Sequence, residues 1–167
     1  MMLWRTCSML LVVVFAALAV MVGVTRAGNF PGGRRARGQF ESVRTVPITV
    51  GDRTIRAVIA DTEAARIRGL LGWKSIRDDT GMLLDFGTEG DYAIHMQGMK
   101  FAIDALWIGS TGAIKLIYED IRPNSGMTYP SMFPSRYCLE INAGFCRRHG
   151  VKIGQSVRFG VPENRRR

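Results

Sequence analysis

The stretch IHMQGMKFAIDALWI, residues 94–108, carries side chains that can do chemistry inside an otherwise apolar run. Histidine nitrogen and methionine sulfur are ligands that copper ions accept. If the stretch is one strand, His95 and Met99 share a face but lie roughly 13 Å apart at ~3.3 Å per residue. They can bind one ion only if the chain turns at Gly98, and otherwise they are ordinary packing residues. No metal site is assigned, and the candidate metal ligands are His95, Met99, Met127 and Met132.

Asp104 and Glu140 are carboxyl groups within apolar runs. A buried carboxylate without a partner is strongly destabilising, or its pKa shifts until the group is neutral. Each of the two therefore needs a partner. For Asp104 the candidates are Arg66, Arg136 and the backbone of the turn at Asn142. One interpretation is a buried ion pair that fixes the register of a strand.

The alternative interpretation is a polar cleft in which Asp104, Glu140 and Arg66 come together with His95. Two carboxyl groups beside a histidine can do general acid–base work on a glycan or a peptide. Asp104, Glu140 and His95 are therefore the candidate catalytic residues, although none is assigned such a role. The chain has neither a G-x-S-x-G nucleophile motif nor a P-loop lysine, and no cofactor is predicted.

Cys138 and Cys146 are the thiols that lie beyond residue 27. They can pair in an oxidising compartment if their Cα atoms lie within about 7 Å of each other. Neither cysteine stands in a CxxC or zinc-binding spacing, so two inert buried thiols are the alternative. A third interpretation, a cysteine nucleophile, needs His149 or His95 as an adjacent base.

Short β-branched runs separated by turn residues predict many short strands. VRTVPITV and TIRAVIA flank a two-residue hairpin signal, Gly51 and Asp52. Further strands are predicted at GMLLDF, YAIHMQGM, IDALWI, AIKLIYE, RYCLEI and VKIGQSVRF, and the fourth and fifth strands can be continuous. About eight strands with two short helices predict a compact, mainly β domain of the sandwich or barrel type.

The two helices are predicted from capping residues and apolar spacing. DTEAARIRGLLGW has Asp61 or Thr62 as its N-cap and is expected to end at Gly72. AGFCRRH is expected to form one or two turns capped by Asn142. The apolar face of the first helix is predicted to comprise Ala64, Ile67, Leu70 and Leu71.

Residues 1–27 have the layout of a secretory signal peptide, since Arg5 precedes an apolar run over residues 7–24 and small residues follow it. We therefore expect export to the periplasm or cell envelope. The run is also nearly long enough to span a bilayer, so an uncleaved anchor in the inner membrane is the alternative. Arginines after the run oppose export, which leaves a reversed anchor with a cytoplasmic body as a further alternative.

The charge of the chain divides it into segments. The chain carries 23 Lys+Arg and 14 Asp+Glu, but residues 43–161, the predicted single domain, are nearly neutral. The excess lies in a Gly/Arg-rich linker over residues 28–42 and a basic tail over residues 162–167. We expect these segments to contact anionic membranes weakly, and we expect no nucleic-acid binding because no basic face interleaves with aromatic residues. The arginines concerned are Arg34, Arg35, Arg37, Arg165, Arg166 and Arg167.

The order of five motifs resembles a widespread prokaryotic family, domain of unknown function 192. The motifs are ADTEAARIRGLLGW, GMLLDF, HMQGMKFAIDALWI, YCLEINAG and VKIGQSVRF, and the resemblance covers about residues 45–160. It implies a compact, mainly β fold with short helices, and frequent export. It implies no activity, because none is agreed for the family. The chain departs from common members at Ala65, Leu71, His95 and Gln97.

These observations favour a non-catalytic, exported domain that binds a small ligand or a component of the cell envelope. The alternatives are a hydrolase acting on envelope glycan or peptide through the carboxyl pair, and a periplasmic copper-binding protein. The predicted ligand-binding residues match positions of the family motifs, and they are Arg66, Met96, Asp104, Glu140 and Asn142.

Overall fold

The computed structural model describes residues 44–161, so the predicted signal peptide or anchor, the linker and the basic tail lie outside the described residues. Nine strands and two short helices form in this range, which confirms the predicted mainly β fold. No helix of residues 44–161 is long and apolar enough to cross a membrane. The elements are β1 (Thr45–Val50), β2 (Arg53–Ala60), α1 (Glu63–Arg68), β3 (Thr80–Gly90), β4 (Ala93–His95), β5 (Ile103–Ile108), β6 (Ile114–Ile121), β7 (Thr128–Pro130), β8 (Ser135–Asn142), α2 (Phe145–His149) and β9 (Val157–Phe159).

Seven of the strands form one sheet, in the order β6-β5-β8-β3-β2-β1-β9. The predicted hairpin is confirmed, since Val50 pairs with Arg53 across the two-residue turn. The β2–β3 pair is parallel and all other pairs of this sheet are antiparallel. A parallel pair needs a crossover connection, and here that connection contains α1.

The sheet curls so that its two ends meet. Ala113, just before β6, forms a bridge with Ser156, just before β9. The Ile114 N–H donates to the Gln155 carbonyl at 2.9 Å, and the Val157 N–H donates to the Gly112 carbonyl at 2.8 Å. These bonds join the two edges at one end only, and the result is a half-barrel.

Both faces of the sheet are buried, and each supports its own apolar cluster. One cluster, which includes Ile48, Leu106, Leu139 and Phe145, also joins Ile114 and Val157 from the two edge strands, so it lies on the concave face. The convex cluster includes Trp107. Side chains alternate between faces along a strand, and all six residues of β5 are buried because both of its faces are covered.

The convex face is covered by α1, by the turn that follows it, and by a small second sheet in which β4 pairs with β7. The two predicted strands on either side of Lys100, which the sequence allowed to be continuous, are separate. The strand β4 ends at His95, and the Met99 N–H donates to the Met96 carbonyl at 3.2 Å to close a turn. Gly98 makes this turn with a φ of +78°, a conformation that glycine adopts readily.

Helix α1 is shorter than predicted. Thr62 caps it, and its hydroxyl accepts a hydrogen bond from the Ala65 N–H at 3.2 Å. The helix ends at Arg68 because Gly69 leaves the helical conformation with a φ of +46°, so the expected end at Gly72 is wrong. The predicted apolar face is wrong for the same reason, since no residue of the helix itself is buried.

Helix α2 also differs from its prediction. Its N-cap is Gly144, without a side-chain cap, so Asn142 does not cap it. The Asn142 amide instead donates to the Asp78 carboxylate at 2.8 Å. The side chain of Asn142 therefore ties the end of β8 to the segment before β3.

Candidate functional site

A pocket of about 280 Å³ lies on the convex side, between α1 with its following turn, β3, β4 and β8. Apolar side chains make most of its wall. Five charged or titratable side chains also line it, and they are Glu63, Arg66, Arg68, His95 and Glu140. The apolar wall is formed chiefly by Leu70, Leu71, Leu84, Phe86, Ile94 and Met99.

Glu140 is the buried polar residue of the pocket. Its neighbours Leu139 and Ile141 belong to the concave cluster, so alternation along β8 directs Glu140 to the convex side. The side chain is 7% exposed, and its Oε2 atom has no hydrogen-bond partner among the described residues. Burial raises the pKa of this carboxyl group from 4.5 to about 7. Glu140 is therefore a carboxyl group that gains and loses its proton near neutral pH.

Arg66 is held in place from two sides. Its Nη1 donates to the Asp61 carbonyl at 2.9 Å and to the Asp85 carbonyl at 2.7 Å. Its guanidinium carbon lies 5.4 Å from the centre of the Phe86 ring, within the range of a cation–π contact. Its Nε and Nη2 make no hydrogen bond to any residue of the described range. A fixed guanidinium with unused donors therefore lines the pocket.

The early end of α1 shapes the pocket. Because the chain leaves the helix at Gly69, Leu70 turns into the convex cluster, where it is 2% exposed, while Leu71 is 37% exposed. A Cβ atom added at Gly69 would lie 4.0 Å from Glu140 Oε2, which shows how closely this turn approaches the carboxyl group. The turn therefore packs over the Oε2 atom of Glu140 and leaves Leu71 at the pocket mouth.

His95 and Met99 both line the pocket because the chain turns at Gly98. The turn that the copper hypothesis required is thus present. Met127 and Met132 are 63% and 66% exposed and do not line the pocket. Residues 44–161 contain no group of three or more His, Cys, Asp or Glu side chains that could hold a metal ion. The copper hypothesis remains a prediction that needs a titration.

Asp104 and Glu140 do not share a cleft. The strands β5 and β8 are neighbours, but Ala105 pairs with Glu140 while Asp104 pairs with Ile141. Paired residues point to the same face, and adjacent residues of a strand point to opposite faces. Asp104 therefore lies on the concave side with Ile141, and the alternative interpretation, an Asp104–Glu140 acid–base pair, is wrong.

Asp104 binds backbone rather than a cation, so the expected ion pair is also wrong. It is fully buried. Its Oδ1 accepts from the N–H groups of Asp120 at 2.9 Å and Gly144 at 3.0 Å, and its Oδ2 accepts from the Cys146 N–H at 2.9 Å. The backbone after Asn142 was one of the three predicted partners. Asp104 fastens the β8–α2 turn and the end of β6 to β5.

The pocket brings together two of the five predicted ligand-binding residues, Arg66 and Glu140. Met96 is 2% exposed within the convex cluster and does not line the pocket. Asn142 and Asp104 make the structural hydrogen bonds described above and do not line the pocket. Whether Arg66 and Glu140 bind a ligand stays a prediction. Phe86 also lines the pocket and is not among the predicted residues, and its position as the aromatic residue that ends GMLLDF is the signal that could have revealed it.

The two thiols are free and lie in different clusters. Cys138 belongs to the convex cluster and Cys146 to the concave one, and both are buried. Burial raises the pKa of both thiols well above its usual range. A thiol that stays protonated is a poor nucleophile, so the geometry does not favour a cysteine nucleophile.

Comparisons with known proteins give the family of this chain and two solved structures with a similar fold. The profile of DUF192, a family described as Uncharacterized ACR, matches residues 46–159. The chain belongs to this family. It resembles the crystal structure of a "putative transcription regulator" from Sinorhizobium meliloti 1021, with a TM-score of 0.65 and 29% identity over 70% of this chain and 92% of that chain.

A second solved structure, of a protein of unknown function from Novosphingobium aromaticivorans DSM 12444, has a TM-score of 0.67 and 25% identity over 70% of this chain and 86% of that chain. No curated protein matches the sequence significantly. The family membership confirms the resemblance of the five motifs, and the two structures agree with the half-barrel fold of this chain.

Proposed function

We propose that this protein is a non-catalytic, small-ligand-binding domain of the cell envelope, with its site in the pocket around Glu140. The observation that carries the proposal is the Glu140 Oε2 atom, which is buried at the pocket without a hydrogen-bond partner among residues 44–161. Buried polar atoms in folded proteins are nearly always hydrogen-bonded, because an unpaired one is destabilising. A ligand in the pocket that donates a hydrogen bond to this carboxyl group offsets this deficit.

The remainder of the pocket supports binding of a small molecule. A largely apolar wall with a few convergent polar groups is the usual composition of a ligand site. The volume of about 280 Å³ lies just below the ~300–1,000 Å³ of pockets that hold drug-sized molecules. The expected ligand is therefore small, with an apolar part and at least one hydrogen-bond donor.

Hydrolysis by paired carboxyl groups receives no support from the geometry. Asp104, the predicted partner of Glu140, lies on the other face of the sheet, with its oxygens occupied by three backbone N–H groups. The buried thiols have a raised pKa and are poor nucleophiles. Binding without catalysis is the function that these side chains support best.

Location in the envelope rests on the sequence of residues 1–27, which has the order of regions found in signal peptides. An uncleaved inner-membrane anchor over residues 7–24 also places the domain in the envelope when the chain after it is exported. In both cases the ligand is one that is present outside the cytoplasm.

Ligand binding is tested by thermal unfolding with a panel of small neutral, cationic, anionic and zwitterionic compounds. A ligand that binds the folded state raises Tm. Leu71→Trp places a bulky ring at the pocket mouth and should abolish the rise. Ile153→Trp changes a residue that is 59% exposed and does not line the pocket, so it should keep the rise. A panel without effect on the wild type, or equal effects on both variants, would contradict the proposal.

A further inference from the structure

We infer that the ligand is a small zwitterion, with an ammonium group that pairs with Glu140, a carboxylate that pairs with Arg66, and an apolar side chain against the pocket wall. This inference rests on the proposed binding function. It names the class of ligand, of which an apolar α-amino acid is the simplest member.

The ammonium group is assigned from Glu140. An ionised carboxyl oxygen only accepts hydrogen bonds, so its partner must donate. Around it the pocket wall is mostly apolar, and an ionised group in such surroundings needs an opposite charge as well as a hydrogen bond. An ammonium with N–H groups supplies both, and a charged pair of this kind is stronger than a neutral hydrogen bond.

The carboxylate is assigned from Arg66. A guanidinium has five N–H donors, and the two on Nη1 are taken by the Asp61 and Asp85 carbonyls. The donors on Nε and Nη2 are unused within the described residues. Two parallel N–H donors fit the two oxygens of a carboxylate, and the contacts of Arg66 with two carbonyls and with Phe86 fix the group before the ligand arrives.

The charges of the pocket favour a ligand that carries both signs. A purely cationic ligand meets the fixed positive charge of Arg66, and a purely anionic ligand meets Glu140 when that group is ionised. Glu63 and Arg68 add one charge of each sign at exposed positions. A zwitterion satisfies Glu140 and Arg66 together and leaves neither unpaired.

An aromatic cage for a quaternary ammonium is not the better explanation. Phe86 is the aromatic residue of the pocket wall. Its ring already contacts Arg66 at 5.4 Å and stacks on Tyr92 with 3.9 Å between ring centres. Recognition of the ammonium therefore depends on N–H donation to Glu140, and methylation of the nitrogen should prevent binding.

Protonation of Glu140 should be coupled to binding. The carboxyl must be ionised to pair with an ammonium, and burial has raised its pKa to about 7. The charged and titratable groups around it are Glu63, Arg66 and Arg68 from the α1 region and His95 from β4, with the Cys138 thiol on its own strand. Affinity for the zwitterion should fall about ten-fold for each pH unit below 7, since one proton must be released on binding.

Calorimetry with matched probes tests the inference at pH 8. The probes are leucine, isopentylamine, 4-methylpentanoate and N,N,N-trimethylleucine, together with phenylalanine, 2-phenylethylamine and 3-phenylpropanoate as a larger set. The zwitterion should bind about ten-fold or more tightly than the amine or the acid of its set, because it alone forms both charged hydrogen bonds. The trimethylated compound should not bind.

Substitutions of Glu140 and Arg66 test which residue binds each charged group of the ligand. Glu140→Gln should weaken leucine and isopentylamine but leave 4-methylpentanoate nearly unaffected. Arg66→Gln should weaken leucine and the acid but not the amine, and Glu119→Gln is the matched control for an exposed carboxyl outside the pocket. His95→Gln should keep the loss of affinity at low pH, which separates Glu140 from the histidine that lines the same pocket.

The outcomes separate this inference from the proposed function. If an amine, an acid or the trimethylated compound binds as tightly as the amino acid of its set, the assignment of the two charged contacts is wrong. The pocket would still be a ligand site. Failure of all probes of both sizes would also overturn the assignment, and the wider panel with Leu71→Trp then decides whether the pocket binds any ligand. If Arg66→Gln does not fold, the comparison of probes on the wild-type protein still decides whether the ligand must carry both charges.

Discussion

Asp104 and Glu140 lie on opposite faces of the sheet although they come from neighbouring strands, because Glu140 pairs with Ala105 and Asp104 pairs with Ile141. The two carboxyl groups accordingly have different roles. Asp104 accepts three backbone hydrogen bonds and holds a turn in place. Glu140 has an unpaired oxygen at a pocket, with no partner in the described part of the chain. A difference of one residue in strand register thus makes Asp104 a structural carboxylate and leaves Glu140 as a candidate binding group.

Replacement of Asp104 should strongly destabilise the fold. Asp104→Ala leaves the N–H groups of Asp120, Gly144 and Cys146 without their acceptor, and each unsatisfied buried donor costs ~1–3 kcal/mol. We expect a loss of roughly 3–5 kcal/mol in the free energy of unfolding, measured by urea denaturation. Asp104→Asn keeps one acceptor oxygen and should lose less.

The control for this measurement is Asp91→Ala, at an exposed position, where surface substitutions usually change stability by less than about 0.5 kcal/mol. Equal and small effects of Asp104→Ala and Asp91→Ala would show that the three backbone bonds contribute little.

The two cysteines should be unreactive in the folded protein. Cys138 and Cys146 are buried and their thiols have a raised pKa, so the thiolate that reacts with iodoacetamide is scarce. For a chain that begins near Gly28 and so lacks Cys7, we expect intact-mass analysis to show two free thiols and labelling only under unfolding conditions. Rapid labelling of the native protein, or a mass two hydrogens lower, would be inconsistent with the two separate buried sites.

Gly98 should be essential for the turn that brings β4 to the pocket. A Cβ atom there would lie 3.1 Å from Leu71 Cδ2, in a backbone conformation with φ +78°. Gly98→Ala should therefore cost more than the ~1–2 kcal/mol of a left-handed conformation alone and should also shift Leu71 at the pocket mouth.

Gly126→Ala provides the comparison for Gly98, since Gly126 has a φ of +70° and open space around its Cβ position. Chemical denaturation of both variants measures the difference. A loss for Gly98→Ala no greater than that for Gly126→Ala would mean that the contact with Leu71 is unimportant.

The sequence predicted what depends on local pattern. β-branched runs indicated the strands, and Gly51 and Asp52 indicated the hairpin, because turn and strand preferences are encoded by neighbouring residues. The end of α1 was misplaced because apolar spacing continued to Leu71 while the backbone changed direction at Gly69. Periodicity describes only which residues can share a face, and a glycine can end the helix before that face is used.

The candidate site was predicted only in part because it depends on register. Arg66 and Glu140 are predicted ligand-binding residues and both line the pocket. Asp104 was grouped with Glu140 because both are carboxyl groups in apolar strands, and a shift of one residue reverses the face of a side chain. No pattern in a single sequence fixes how two strands that are distant along the chain are aligned.

Export should be visible in the mature protein. Fusion of residues 1–40 to a reporter that is active only outside the cytoplasm should give signal, because this segment has the order of regions of a signal peptide. Intact-mass analysis should show a chain that begins near Gly28. A full-length protein in the membrane fraction would indicate the uncleaved anchor instead, and a full-length protein in the cytosol would contradict export.

Glu140 should make the stability of the protein depend on pH in an unusual direction. Burial raises the pKa of the folded carboxyl group from 4.5 to about 7, so between these values the folded protein holds a proton that the unfolded chain has released. The contribution of this group to stability is then greatest below pH 4.5, falls as pH rises, and reaches its lower level above pH 7. At 1.36 kcal/mol per pKa unit, the loss due to this group is about 3 kcal/mol.

Glu140→Gln isolates this contribution, because glutamine is neutral at every pH and removes the proton exchange. Relative to the wild type, the variant should gain up to about 3 kcal/mol between pH 4.5 and pH 8, measured by urea denaturation across that range. Glu63→Gln removes an exposed carboxyl group from the same pocket and should follow the wild-type profile. If the wild type and Glu140→Gln gave parallel profiles, Glu140 would be ionised in the folded protein throughout, and a donor within the protein would already satisfy its Oε2 atom.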